Sequence, residues 1–160
     1  MVYFSLVYPK LNYCVTAWGG IAKSNLQPIV NLQKKIIRII TYMSYISPTK
    51  PIFLQLKTLP FNSIYMLNLS ILMYKIQNKL ITGSYNLIKL DDKHNYNTRL
   101  ATNNNFFQNY NKTNIGKSTC SAQGSKLWTT IPTNIKSLPL HLFKNKMKEY
   151  LLSSLKEGIT

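Results

Sequence analysis

The residues best placed to do chemistry in this sequence are cations set close to aromatic rings. In Tyr96-Asn97-Thr98-Arg99, Tyr110-Asn111-Lys112 and Lys126-Leu127-Trp128, a side chain that can pair with phosphate lies within three residues of a ring that can stack on a base. Lys34, Lys35 and Arg38 form a separate cluster, Lys117 follows Gly116, and Lys144, Lys146 and Lys148 alternate near the end of the chain. Tyr96, Arg99, Lys112, Lys126 and these cations make up the candidate nucleic-acid interface. Each has an ordinary alternative. A run of lysines is most simply a solvated helix face, and Trp128 most simply fills a core or a domain junction, because tryptophan is usually well buried. The charge of the whole chain tips the cations toward phosphate.

Other chemistries lack their residues. Metal-dependent phosphoryl transfer needs carboxylates that converge on divalent ions. The only acids are Asp91, Asp92, Glu149 and Glu157. Asp91 and Asp92 are adjacent and read as a solvated turn before Lys93, and the two glutamates lie on a basic terminal segment. His94, His141, Cys14 and Cys120 show none of the short paired spacing of a zinc site. Cys120 or Ser118 with His141 would lack an acidic orienting partner for nucleophilic catalysis. The segment IGKST, Ile115 to Thr119, ends like a phosphate loop, yet Lys112 stands near where that loop needs its first glycine. We therefore expect no catalytic residue, metal or cofactor.

The elements that must position the cations come from a chain of 160 residues, 45% hydrophobic, with twenty Lys and Arg against four Asp and Glu, a net charge of +16. That length suits one domain, or one domain with a tail. Eleven Tyr, six Phe and two Trp set it apart from a disordered basic tail, and two cysteines exclude a disulfide scaffold. So large a charge calls for an anionic partner, either nucleic acid or a membrane surface. The longest near-apolar stretch, IYMLNLSILMYKI, is too short to span a bilayer and is broken by Asn68 and Ser70. The opening MVYFSLVYPK lacks the leading charge and cleavage site of a signal peptide. We expect an intracellular protein of nucleus or cytoplasm, not secreted, with unbridged thiols.

Periodicity predicts a mainly α fold. Val2, Phe4 and Leu6 alternate like a strand, and Leu11, Val15 and Trp18 are spaced like a helix face that ends at Gly19-Gly20. A helix capped by Ser24, with Pro28 near its first turn, carries the stripe Leu26, Ile29, Val30, Gln33, Ile36, Ile37 and Ile40, with Lys34, Lys35 and Arg38 mostly off it. PIFLQLKTLP reads as a short helix between prolines. A long helix from about 62 to 80 is apolar nearly all round and hence central. From 82 to 124 the composition turns polar, which predicts a linker or loosely ordered arm with at most short strands. The pattern returns at GSKLWTTIP. A last helix, about 139 to 155 with Ser137 as its cap, sets Leu142, Phe143, Met147, Tyr150, Leu151 and Leu155 opposite Lys144, Lys146 and Lys148. The expected organisation is a helical domain over 1–81, an arm over 82–124, and a tryptophan motif with a basic amphipathic helix over 125–160.

Several words stand together in a telling order: YPKLNYCVTAWGG, LQKKIIRIIT, PIFLQLKTLPFNSIYMLNLSILMYK, YNTR, QGSKLWTTIP and LFKNKMKEYLLSSL. In that order and spacing they resemble, almost end to end, the C-terminal region of reverse transcriptases of jockey-like non-LTR retrotransposons. The resemblance implies that residues 1 to about 80 are part of a small thumb-like helical bundle that tracks template and primer, and that the rest is the tail of the element. The family's Tyr-x-Asp-Asp turn, its upstream palm aspartate and its endonuclease motifs have no counterpart, and Asp91-Asp92, preceded by Lys89-Leu90, does not replace them. Met1 in the middle of the family's reading frame suggests a truncated copy or a fragment. The implied partners are RNA or an RNA/DNA hybrid, held by the phosphate backbone, and the fingers and palm of the polymerase. A basic helical RNA-binding protein and a peripheral membrane protein built on amphipathic helices are the alternatives.

Overall fold

The computed structural model describes residues 2–81, 87–93, 103 and 105–157. It is mainly helical, and the described residues hold no β-strand, only an isolated bridge between Lys89 and Phe106. The chain divides into two compact units, residues 1–67 with 147–160, and residues 68–146. These limits fall inside helices, whereas the composition changes near 82 and 124.

In the first unit, a π-helical turn, Tyr3–Val7, leads into α1, Tyr8–Asn12, and α2, Val15–Trp18. The strand-like alternation of Val2, Phe4 and Leu6 is therefore misleading. All three are exposed, and the residue that the turn buries is Tyr3, which packs with Ile37, Ile52 and Phe53. Helix α3, Lys23–Ile40, buries Leu26, Gln33 and Ile37, one edge of the expected stripe. Its N-cap is Ala22 and not Ser24, and Pro28 lies inside the helix. Helix α4, Thr49–Gln55, adds Ile52 and Phe53, and α5, Phe61–Gln77, follows.

Gln33 is a polar residue with a structural task in this apolar setting. It is 1% exposed, donates from Nε2 to the Tyr3 hydroxyl at 2.7 Å and to the Leu59 carbonyl at 3.0 Å, and accepts the Phe61 N–H on Oε1 at 2.7 Å. Phe61 begins α5, so Gln33 supplies a partner for a helix-terminal N–H that no backbone carbonyl of the helix can reach. Trp18 stacks on Phe61 with ring centroids 5.2 Å apart. A Cβ on Gly19 would lie 2.5 Å from the Tyr65 ring and 2.6 Å from the Val15 carbonyl, so only glycine allows this approach.

Three helix ends share one stop. After α3, α4 and α5, the residues Tyr42, Lys57 and Lys79 take positive φ of 55°, 50° and 55°. In each case the next N–H reaches back across the turn, Met43 to the Arg38 carbonyl, Thr58 to Phe53 and Leu80 to Lys75. This is the Schellman arrangement, in which glycine ordinarily holds the left-handed position. Here three bulky side chains hold it, at about 1–2 kcal/mol each. The stop places the end of α5 at Gln77 and leaves Leu80 exposed, short of the expected end at 80.

In the second unit, residues expected to form at most short strands are partly helical. After α6, Leu90–Lys93, come α7, Asn114–Ser118, and α8, Cys120–Thr130. Their starts are local: the Thr113 hydroxyl accepts the Gly116 N–H, and the Thr119 hydroxyl accepts that of Ala122. Trp128, 1% exposed, lies between Phe106 and Phe143, each ring about 6.1 Å away, and Tyr74 packs 4.6 Å from Phe143. On α8, a Cβ at Gly124 would lie 2.5 Å from Met73 Sδ, so α8 sits close on the second half of α5. Helix α9, Thr133–Lys136, and α10, Leu140–Glu157, end the described chain. Phe143, Met147, Leu151 and Leu155 are buried at four-residue spacing along α10, while Leu142, expected on the same face, is exposed. Ser137 does not cap α10: its hydroxyl donates to the Asn134 carbonyl, and Pro139 accepts the Phe143 N–H.

Candidate nucleic-acid interface

The cations are divided between the two units. The first holds nine Lys and Arg against Glu149 and Glu157, and the second holds eleven against Asp91 and Asp92, so each unit is strongly basic by itself. No acid occurs before Asp91.

In the first unit, Lys35 projects from α3 into solvent, and Lys34 is half-buried. Arg38, one turn beyond Lys34, is also half-buried and partly committed: its Nε donates to the Ser47 carbonyl at 2.9 Å, and its guanidinium carbon lies 5.7 Å from the centroid of the Tyr45 ring. This pairing fixes a planar donor at the end of α3 and still leaves it terminal N–H groups for an anion. Lys148 on α10 is half-buried, with its ammonium 5.8 Å from the Phe4 ring.

In the second unit, Lys112, Lys117, Lys126, Lys144 and Lys146 are all exposed. Lys117 lies in the last turn of α7 and Lys126 within α8. Tyr110, two residues before Lys112, presents its ring to solvent. Tyr96 and Arg99 lie outside the described residues. Trp128 takes the core role: its ring is enclosed, with the Lys136 ammonium 5.1 Å away, so the Lys126-Leu127-Trp128 pair does not offer a cation and an open ring side by side.

Two features escaped the sequence reading. A cleft of about 450 Å³ in the second unit is lined by Tyr74, Gln77, Asn78, Asn103, Trp128, Thr133, Lys136 and Ser137. In it the Lys136 ammonium donates to Asn105 Oδ1 at 3.0 Å, and burial pushes its pKa down to about 8 despite the amide oxygen and ring that favour its charge. Gln77 Oε1 is buried there with no hydrogen-bond partner among the described residues. Nothing local marks Lys136, because its burial comes from residues distant in sequence. The second feature is the pair Tyr42 and Tyr45, exposed just after the α3 cations. A cation-beside-ring spacing of three residues passes over them, since Tyr42 follows Arg38 by four residues and Tyr45 by seven.

Among the described residues, no three of His, Cys, Asp and Glu come together to hold a metal ion, and no helix is long and apolar enough to cross a membrane. No protein-family model, curated protein or solved structure matches the chain.

Proposed function

We propose that the chain is a non-catalytic, thumb-like part of a reverse-transcriptase-type polymerase that holds RNA or an RNA/DNA hybrid through backbone phosphates, without reading sequence. The observation that carries this reading is the charge, strongly positive in each of two helical units, with most of the candidate lysines at exposed positions on or beside helices. Exposed lysines on helices suit sequence-neutral contact, since phosphates position a protein on a duplex but carry no base identity. The family resemblance of the ordered sequence words supplies the polymerase context. Four carboxylates in the whole chain suit gripping and not phosphoryl transfer.

The test is paired. Purified chain is expected to retain labelled RNA/DNA hybrids of unrelated sequence equally in a gel shift, and to extend no primer with magnesium and deoxynucleotides. Magnesium-dependent extension would overturn the non-catalytic part. Retention of one hybrid sequence alone would overturn the phosphate part.

A further inference from the structure

The turn between α3 and α4 is ordered by its own backbone and yet turns its largest side chains outward. Met43 N–H bonds to the Arg38 carbonyl at 2.9 Å, Ser47 N–H to Ser44 at 3.0 Å, and Arg38 Nε ties Ser47 back to α3 at 2.9 Å. Despite this fixation, Tyr42 is 97% exposed, Tyr45 75% and Ile46 88%. The left-handed conformation of Tyr42 at the α3 stop is what swings its ring clear of the helix. Arg38 faces the Tyr45 ring, and Lys35 and Lys50 are exposed on the two helices that the turn joins. The stretch contains no carboxylate.

We propose that Tyr42 and Tyr45 form a stacking platform for unpaired bases of single-stranded nucleic acid, with Arg38 and Lys35 holding the adjoining phosphates. This rests on the phosphate-binding reading above and adds to it a second, single-strand mode at a defined place. Ligands with planar faces and regular negative charge match what the turn presents, two exposed rings beside a held guanidinium and an exposed lysine. Stacking of this kind tolerates any base, because every base has a π-face, and it depends on the ring and not on general apolarity. A turn fixed by its backbone bonds favours the contact further, since that backbone need not be ordered at the moment of binding. Insertion into an anionic bilayer would use the same cations, but would draw on Ile46 and Met43 and reward added aliphatic bulk.

The experiment uses the full chain and fluorescence anisotropy with three labelled probes of about 12 nucleotides, within the usual site size of single-strand grooves: an oligoadenylate, an abasic strand and a duplex. Tyr42→Ala and Tyr45→Ala, both outside the core, are expected to melt like the parent and to weaken oligoadenylate binding roughly 5- to 150-fold each; Tyr42→Ala, which keeps the Arg38–Tyr45 contact, is expected to leave duplex binding unchanged. Phenylalanine at either position is expected to preserve binding, leucine to weaken it as alanine does, and the parent chain to bind the abasic strand more weakly than either alanine variant binds oligoadenylate. Equal affinity of the parent for abasic and adenylate strands, or rescue by leucine, would overturn the platform. So would capture of the chain on phosphatidylserine vesicles that leucine strengthens, with no oligoadenylate binding. If the parent binds neither duplex nor single strand, the phosphate-binding reading itself falls. Duplex binding by the parent, together with tyrosine variants that bind oligoadenylate as tightly as the parent does, removes the platform alone.

Discussion

The core of residues 1–67 with 147–160 encloses an amide, and the core of residues 68–146 encloses an indole. Gln33 makes three hydrogen bonds of defined direction, to a side chain, a loop carbonyl and a helix start, and so fixes where those pieces go. Trp128 fills volume between Phe106 and Phe143, whose ring centroids each stand 6.1 Å from its own. Both units carry a large excess of cations, nine against two acids and eleven against two, so the difference lies in how each core is held and not in the sign of the surface charge. A polar key fails when one partner goes unmet, whereas an aromatic key fails in proportion to the space it leaves.

Trp128→Ala should have the largest effect, a loss of about 3–5 kcal/mol from the cavity it creates, read as a drop in urea midpoint. Gln33→Leu keeps the bulk but strands the Phe61 N–H, the Leu59 carbonyl and the Tyr3 hydroxyl, and should cost about 2–4 kcal/mol by the same assay. A Gln33→Leu variant as stable as the parent would erase the contrast between the units. Changes of the opposite sign are available at the helix stops. Lys57→Gly in the first unit and Lys79→Gly in the second should each stabilise by about 1 kcal/mol, because glycine takes positive φ without strain, and each should raise the melting temperature.

The smallest expected effect is a difference in pH response. Lys136 has its folded pKa lowered by burial from 10.5 to about 8, so between those values the unfolded chain binds more protons than the folded one. Its contribution to stability is therefore lowest below about pH 8 and rises as pH climbs toward 10.5. In the first unit, burial raises the pKa of Tyr3 above 10, against the opposing hydrogen bond from Gln33, so its contribution is intact below pH 10 and is lost above it. Thermal melts from pH 8 upward should show a gain in the parent that Lys136→Met lacks. An identical gain in both would assign the effect to the general lysine charge.

The long helices were legible because periodicity reports burial directly. Leu26 and Ile37 on α3, the all-round apolar α5, and Phe143, Met147 and Leu151 on α10 all lie where their spacing places them. What the pattern could not convey was direction and closure. Gln33 sat in an apolar stripe without showing that three partners would meet it, and the stops at Tyr42, Lys57 and Lys79 carry no glycine to announce them. Ser24 and Ser137 looked like caps, yet the capping side chains among the later helices are Thr113 and Thr119, within a segment whose polarity suggested a linker. At the candidate interface, exposure of Lys35, Lys112, Lys117, Lys126, Lys144 and Lys146 followed from charge alone. The engagement of Arg38 by Ser47 and Tyr45, and the burial of Lys136, arise from contacts that a one-dimensional pattern does not contain.

The central claim is that the lysines of each unit grip phosphate without reading sequence, and the most direct measurement is hybrid affinity against salt. For two RNA/DNA hybrids of unrelated sequence, log affinity should fall linearly with log salt on superimposable lines. Lys35→Gln, from the first unit, and Lys126→Gln and Lys144→Gln, from the second, should each reduce the slope by about 1. An affinity indifferent to salt, or lines that separate with sequence, would contradict the claim.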